Sequence, residues 1–358
     1  MPSFDFDVLR AIWVVTGVAL VASFVLSVST RHRRVGVLMA CVVWIAVFAA
    51  AGLRSEHLNS DTESYIEYSR LAQDSSTGDY LSSIRLEPGW AVMTRAVASI
   101  GIDARGTLFL CSMATMLMLL LSLWPLGFLM SLGMLHYLSE FYLNNELAII
   151  RHSFATAMSL LIVVMISSSR AAGSTLSRFW PVTLAVPPFF QVGTLSVVAA
   201  QLGARGSHVR IALQALIFSA VAWIVLKTVG AGMLPERLLE YGGENSREIR
   251  GFVHIAFLLA VASLDFKAVQ LTIENNRNVA FCYLLGIGLS FAVMGFPLLN
   301  RLRQVLLEFG IVFYPLVLLQ INSVQRLMVA VVAYLCFMVA IGAFTVASLS
   351  ERYSAGFF

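Results

Sequence analysis

Apolar runs close to the length of a membrane span recur from one end of this 358-residue chain to the other. Crossing a bilayer as a helix takes about 20 apolar residues, because every backbone hydrogen bond must be satisfied within the segment. Hydrophobic residues make up 59% of the chain and charged residues 12%. The mean hydropathy is +0.83. The pattern predicts an all-α, polytopic transmembrane helical bundle, with residues 1–358 as a single integral membrane domain.

The apolar runs divide into twelve segments. They lie at about 8–29, 35–53, 107–123, 126–140, 153–168, 179–190, 191–204, 210–230, 251–264, 279–298, 305–321 and 327–348. Several of these segments are shorter than a full span, so we expect about 10–12 spans. The two segments around Pro187-Pro188 fit either one kinked span or a re-entrant pair, because consecutive prolines break a helix.

The orientation of the bundle is predicted from its short loops. The basic run Arg31-His32-Arg33-Arg34 directly follows the first segment. Because short cytoplasmic loops are enriched in lysine and arginine, we expect this loop on the cytoplasmic side. Alternation of the spans then places two long loops, 54–106 and 231–250, on the outer face.

Two polar clusters interrupt the apolar pattern. The first contains Arg54, Asp61 and Tyr65 and continues at 87–90, and the second lies at 300–303. Ionisable groups near a bilayer are costly, so they mark candidate functional sites. Lysine occurs only at positions 227 and 267, so nearly all of the 24 basic residues are arginine. This bias favours bidentate phosphate binding, although the codon usage of a GC-rich genome explains it equally well.

The 54–106 loop has the pattern of two amphipathic helices lying in the membrane interface. From Asp61 onward, Tyr65 and Tyr68 fall on one side at helical spacing. A second stretch follows Glu87-Pro88 and places Trp90 on a face that would enter lipid. The two carboxylates have simpler interpretations: Asp61 is a competent helix N-cap, and Glu87 is favoured by the dipole of the second helix.

No metal or cofactor motif stands out in the sequence. The six histidines are scattered, and the chain contains no glycine-rich phosphate loop and no GxSxG motif. We therefore expect no metal, no cofactor and no nucleic-acid partner.

Several short motifs follow one another in a recognisable order. The first polar cluster reads R-x(6)-D-x(3)-Y and then E-P-x-aromatic, and residues 151–157 read RHSFATA. This order resembles the EpsG-like branch of the Wzy-type polysaccharide (O-antigen) polymerases, in which RQ-x-x-A-x-A corresponds to RHSFATA. Residues 300–303 with Tyr314-Pro315 are similar to its R-x-x-x-Y-F…P element, and Glu240-Tyr241 to its loop tyrosine. One departure is Gln191, which lies where the family has a histidine and cannot take up a proton.

The resemblance implies a GT-C-like bundle in the bacterial inner membrane, with the active site facing the periplasm or cell exterior. Its reaction would be a metal-independent glycosyl transfer that joins polyprenyl-diphosphate-linked repeat units, as in lipopolysaccharide O-antigen or exopolysaccharide biosynthesis. The expected partners are the undecaprenyl-diphosphate-linked donor and acceptor glycans, membrane lipid and a chain-length regulator protein.

On this resemblance, three groups of residues form the candidate site. The catalytic carboxylates are Asp61, as first choice, and Glu87, since a positioned carboxylate can accept the proton of a sugar hydroxyl. The diphosphate-binding residues are Arg54, Arg151, Arg301 and Arg303, each at a predicted outer membrane boundary. The substrate-binding residues are Tyr65, Trp90, His152, Gln191 and Tyr241. The alternative for each arginine is an anchor to lipid head groups, and for Tyr65 and Trp90 a place in an interfacial aromatic belt.

Three other functions fit the sequence. A lipid-linked oligosaccharide flippase or transporter needs charges deep within its spans, and the apolar runs carry few. A membrane acyltransferase needs a buried histidine, for which His136, four residues before Glu140, and His254 are candidates. An O-antigen ligase has the same chemistry with a different acceptor. The sugar, the linkage and the stereochemical outcome are not encoded in any recognisable motif.

Overall fold

The computed structural model describes residues 6–54, 60–83, 87–142, 150–171, 180–203, 207–225, 246–292 and 297–354. Within these ranges the secondary structure is helical, without strands, which confirms the predicted all-α bundle. The helices are α1 Phe6–Val28, α2 Arg33–Gly52, α3 Ser60–Asp74, α4 Thr77–Ser83, α5 Pro88–Ser99, α6 Ala104–Leu123, α7 Met130–Tyr137, α8 Ile150–Ala171, α9 Trp180–Leu184, α10 Leu195–Gly203, α11 His208–Val225, α12 Ser246–Leu264, α13 Phe266–Asn275, α14 Arg277–Ala292, α15 Pro297–Leu307, α16 Gly310–Gln320 and α17 Val324–Ser354.

Among the described residues, six regions are long and apolar enough to cross a membrane. They are Ala11–Val28, Arg33–Gly52, Ala104–Tyr142, Ile150–Ser168, Leu302–Gln320 and Val324–Ala347. A bent pair, Gly251–Leu264 with Phe266–Asn275, makes a seventh if it counts as one span. The region Ala104–Tyr142 has 39 residues, about twice the length of a span, and is interrupted at Gly127, where φ is +58°. The expected number of 10–12 spans stays a prediction, since parts of several predicted segments lie outside the described residues.

The contacts divide the chain into two compact units. The first comprises Met1–Leu161, Ala185–Val192 and Gly342–Phe358, and the second comprises Ile162–Leu184 and Gly193–Ile341. The single membrane domain expected from composition stays a prediction.

In the first unit, α1 and α2 form a tight helical hairpin. Gly36 allows this close approach, because a Cβ atom there would lie 2.6 Å from the carbonyl oxygen of Ser23. The Ser23 hydroxyl donates a hydrogen bond to the Gly36 carbonyl oxygen at 2.6 Å, as small polar residues do between membrane helices. Val15 and Val18 remain largely exposed on the opposite face of α1, as expected of a helix surrounded by lipid.

The two helices predicted in the 54–106 loop are present as α3 and α5, with the short α4 between them. The prediction that the side chain of Trp90 enters lipid is wrong. It is 1% exposed and packs with Tyr65 and Ile66 of α3 and Leu108 of α6. The apolar face of α5 is thus partly used for packing within the protein, because α3 covers it.

In the second unit, α14 packs against α11, α12 and α15. A buried hydrogen-bonded network lies between its helices: His254 Nδ1 and the Tyr283 hydroxyl are 2.8 Å apart, and that hydroxyl also contacts the hydroxyl of Tyr314. Phe257 and Phe337 stack beside this network at a centroid distance of 4.5 Å. His254 is fully buried and therefore acts as a polar contact between helices.

The predicted orientation is testable by labelling of introduced cysteines. Ser75 lies between α3 and α4, and His32 lies in the exposed turn before α2. We expect Ser75→Cys to react with an impermeant thiol reagent in intact spheroplasts, and His32→Cys to react only after permeabilisation. The parent chain is the control, because its native Cys336 is exposed. The reverse labelling pattern would invert the orientation.

Candidate functional site

Glu87 and Arg151, from two motifs 64 residues apart, form an ion pair. Glu87 precedes α5 at the N-cap position, yet its side chain makes no capping hydrogen bond. Its Oε2 atom instead accepts a hydrogen bond from Nη1 of Arg151 in the first turn of α8. The side chain of Glu87 therefore binds a cation and does not cap its own helix. This contact goes beyond the simpler interpretation of Glu87, in which the carboxylate only interacts with the dipole of α5.

The guanidinium group of Arg151 also contacts Tyr65 of α3. Its Nε atom donates a hydrogen bond to the Tyr65 hydroxyl at 3.3 Å, and its Cζ atom lies 5.5 Å from the centre of the tyrosine ring. The latter distance is within the range of a cation–π interaction. The side chains of Arg151 and Glu87 are 18% and 17% exposed. The pair is therefore held by its neighbours but remains reachable from outside.

Trp90 packs against Tyr65, with the two ring centres 5.5 Å apart. Among the described residues, the buried indole Nε1–H of Trp90 has no hydrogen-bond acceptor. A buried donor without an acceptor is uncommon in folded proteins and is explained in many of them by a ligand or water. Glu87, Arg151, Tyr65 and Trp90 form what we call the α5–α8 cluster.

The segment 187–191 packs against the start of α5. A Cβ atom at Gly89 would lie 2.8 Å from the carbonyl oxygen of Phe189, so only glycine permits this approach. Phe190 packs against the core that contains Tyr65 and Trp90, and its ring lies 5.2 Å from that of Phe154 in α8. The buried Gln191 follows directly. The position where the family has a histidine is thus adjacent to elements of the α5–α8 cluster.

Arg54 joins the end of α2 to the start of α3. Its Nε atom donates to the Thr62 hydroxyl at 3.0 Å, and its Nη1 atom donates to the Ala51 carbonyl oxygen at 3.2 Å. Arg54 is 9% exposed. Its diphosphate-binding role stays a prediction, and these contacts give it a positioning role for the first turn of α3. Asp61 lies in that first turn, with its side chain outside the described residues.

The remaining predicted site residues are buried, belong to the second unit or lie outside the described residues. His152 is 1% exposed, so a substrate could reach it only if its neighbours moved. Arg303 is 5% exposed and lies in α15 of the second unit. Arg301 lies in the same helix, with its side chain outside the described residues, and Tyr241 lies outside them altogether. Their predicted substrate contacts stay predictions.

His136, a candidate base for the acyltransferase alternative, forms a buried pair with Glu140. The His136 Nε2 and Glu140 Oε2 atoms are 3.0 Å apart, and both side chains are at most 1% exposed. The helix widens to a π-helix at Leu138–Tyr142, a change that the spacing of apolar residues does not indicate. Next to it, the Tyr137 hydroxyl lies 2.8 Å from that of Ser153, which ties α7 to α8 beside His152.

The described ranges contain no group of three or more histidine, cysteine, aspartate or glutamate side chains placed to hold a metal ion. The metal independence of the proposed glycosyl transfer stays a prediction.

Comparison with known protein families relates part of the chain to one of them. The sequence model of the EpsG family matches residues 37–185, the part of the chain that contains Arg54, Asp61, Glu87 and Arg151. A search of curated proteins and a search of solved structures gave no match. At the level of the family, the match implies a polysaccharide polymerase-like membrane protein with lipid-linked glycan substrates. It confirms the resemblance inferred from the motifs: residues 37–185 are EpsG-like, as in a family of Wzy-like polysaccharide polymerases.

Proposed function

We propose that the protein is a glycosyltransferase of the polymerase type, which joins polyprenyl-diphosphate-linked oligosaccharide repeat units on the outer face of the bacterial inner membrane. The observation that supports this function best is the ion pair between Glu87 and Arg151. It joins the two groups that the reaction needs: a carboxylate for the acceptor proton and a cation for the diphosphate leaving group.

The ion pair supports a specific order of events. Without substrate, the carboxylate of Glu87 neutralises Arg151. A diphosphate carries more negative charge than a carboxylate and offers several oxygens to the planar guanidinium fork, so it competes for Arg151. Because both side chains are partly exposed, this exchange needs little unfolding. Binding of the donor lipid then releases Glu87 beside the diphosphate.

Bond making and breaking follow from that arrangement. The oxygen of an acceptor sugar hydroxyl attacks the anomeric carbon of the donor glycan, and the bond between that carbon and the diphosphate oxygen breaks. The acceptor proton passes to the carboxylate of Glu87, and the lipid diphosphate leaves with the bonding electron pair. Arg151 stabilises the negative charge that develops on the diphosphate, and the contact with Tyr65 holds its guanidinium plane.

Asp61 and Arg54 belong to the same proposal as a second carboxylate and a second cation. Arg54 donates to Thr62, the residue after Asp61, and so fixes the first turn of α3. The aromatic pair Tyr65 and Trp90 supplies a surface for a sugar ring, and the indole Nε1–H of Trp90 is a donor for a glycan or phosphate oxygen. A chain-length regulator protein remains part of the proposal as a partner.

The acyltransferase alternative has less support in the geometry. Its histidine base would have to reach a glycan hydroxyl, whereas His136 and His254 are both fully buried. His136 pairs with Glu140, and His254 pairs with Tyr283. Both histidines act as contacts within the helical core.

Deletion of the gene tests the proposed function directly. We expect the deletion strain to carry surface glycan with a single repeat unit, because lipid-linked units are still made, transferred across the membrane and ligated. The parent gene on a plasmid should restore long chains. Complete loss of surface glycan would identify a flippase, and uncapped lipid A core would identify a ligase; either result would overturn the proposal.

A further inference from the structure

The first turn of α8 carries Arg151 and depends on side-chain contacts for its placement. The amide groups in the first turn of an α-helix have no acceptor within the helix. Helix ends therefore open more readily than helix centres, and their surroundings hold them in place. In α8 this turn runs from Ile150 to Ser153. The position of the Arg151 guanidinium group thus depends on what the side chains of this turn contact.

Two side chains of this turn make contacts on opposite faces of α8. Successive residues of an α-helix are about 100° apart, so Arg151 and Ser153 point roughly 200° apart. On one face Arg151 contacts Glu87 and Tyr65. On the other face the Ser153 hydroxyl is hydrogen-bonded to the Tyr137 hydroxyl at 2.8 Å. Fixing Ser153 therefore fixes the rotation of α8 that directs Arg151 toward Glu87.

Tyr137 is suited to this task because aromatic rings pack around it. Its side chain is fully buried. Its ring centre lies 5.7 Å from that of Trp44 and 6.0 Å from that of Phe48, both in α2. The ring of Phe141 lies 6.1 Å away. These distances are typical of packed aromatic pairs. The Tyr137 hydroxyl is thus held in place by elements other than α8.

A π-helical turn, Leu138–Tyr142, begins directly after Tyr137. Such turns are rare and frequently lie at functional sites. Within this turn the Tyr142 hydroxyl donates to the Val47 carbonyl oxygen of α2 at 2.7 Å. The two tyrosines of the segment therefore make hydrogen bonds to different helices, Tyr142 to α2 and Tyr137 to α8.

We propose that Tyr137 is a positioning residue, which holds the first turn of α8 so that Arg151 presents its guanidinium group to the diphosphate. This inference rests on the proposed function, in which Arg151 binds the lipid diphosphate. The guanidinium group lies at the end of a long side chain, so a small rotation of α8 displaces it. A misplacement of about 1 Å can reduce a rate by about 10²-fold. Because Tyr137 is fully buried, it acts through Ser153 and not on the substrate.

The assignment is testable with Tyr137→Phe in the purified full chain. Phenylalanine keeps the ring and its packing but removes the hydroxyl that binds Ser153. The net contribution of one hydrogen bond corresponds to a factor of about five. We therefore expect the affinity for a polyprenyl diphosphate without glycan, measured by isothermal titration calorimetry, to fall about fivefold. Ser153→Ala should have the same effect, and the double variant should bind no more weakly, because both changes remove one bond.

The same substitution in an Arg151→Ala background separates positioning from a general effect on the fold. With the guanidinium group removed, Tyr137→Phe should leave the remaining affinity unchanged. Tyr142→Phe is the matched control, since it removes a buried hydroxyl of the same segment that binds α2, and it should keep the affinity of the parent chain. Three results would each overturn the assignment: parental affinity in Tyr137→Phe, an equal loss in Tyr142→Phe, or an undiminished loss in the Arg151→Ala background.

Arg151→Ala alone separates this assignment from the proposed function. If this variant binds polyprenyl diphosphate as tightly as the parent chain, Arg151 is not a diphosphate ligand, and both its proposed role and its positioning by Tyr137 are wrong. If Arg151→Ala binds weakly while Tyr137→Phe binds normally, only the assignment of Tyr137 is rejected.

Discussion

Arg151→Lys is expected to reduce glycan polymerisation almost as severely as Arg151→Ala. Lysine keeps the positive charge, but its single ammonium group cannot bind Glu87 and the Tyr65 hydroxyl in the geometry of the guanidinium fork. Removing one partner of a desolvated charge contact costs about 2–5 kcal/mol, which corresponds to a loss of roughly 30-fold to several thousandfold. The length distribution of surface glycan, together with the rate in vesicles supplied with lipid-linked repeat units, measures the effect.

Arg95→Lys is the matched control for this substitution. Arg95 is a partly buried arginine of α5 that donates to the Thr77 hydroxyl at 3.1 Å and to the Ala72 carbonyl oxygen. It lies outside the α5–α8 cluster, so its lysine variant should keep most of the activity. Both variants should reach the membrane at the level of the parent chain. Normal glycan length in Arg151→Lys would reduce Arg151 to an anchor for lipid head groups.

Local patterns of the sequence predicted much of the secondary structure of the candidate site. The helical spacing from Asp61 onward gave α3, and proline after Glu87 gave the start of α5, because these signals depend on neighbours along the chain. The burial of Trp90 was not predicted, since the apolar face of α5 has the same pattern whether lipid or α3 covers it. Periodicity identifies an apolar face but does not identify its neighbour.

The ion pair between Glu87 and Arg151 depends on tertiary packing. The two residues were predicted separately, one as a catalytic carboxylate and the other as a phosphate ligand, because each lies in a short motif. The close approach of Gly89 to Phe189 brings the segment 187–191 against the same cluster. Contacts between residues so far apart along the chain leave no local pattern in the sequence. The π-helix at Leu138–Tyr142 is a further example, since its widening depends on packing.

The number of spans was difficult to predict for a different reason. Hydropathy counts apolar residues but does not register a bend within them. The apolar segment at 251–264 ends at Leu264, and after Asp265 the chain turns through 111° into α13. Asp265 caps α13 by accepting a hydrogen bond from the Ala268 amide at 3.1 Å. The bend therefore lies at a polar residue that caps a new helix, a feature that a hydropathy average does not detect.

Glu87→Gln is expected to slow polymerisation by at least about 10²-fold, because the amide cannot accept the proton of the acceptor hydroxyl. The same substitution removes the negative charge that neutralises Arg151 in the absence of substrate. Binding of polyprenyl diphosphate to the purified protein should therefore become tighter or stay equal while turnover falls. A residue that served only to position Arg151 would show weaker binding and slower turnover together. Isothermal titration with the lipid, alongside the vesicle assay, separates these outcomes.

Asp61→Asn, measured in parallel, decides which carboxylate takes up the proton. Asparagine is as favourable as aspartate near a helix start, so α3 should keep its stability and the variant should reach the membrane at a normal level. A fall in turnover of about 10²-fold or more in Asp61→Asn, with Glu87→Gln nearly normal, would transfer the proton-accepting role to Asp61. If both variants still make long glycan chains, the carboxylate mechanism is wrong. Stabilisation of the departing lipid diphosphate by Arg151 would then supply most of the rate, and Arg151→Lys would remain the more damaging change.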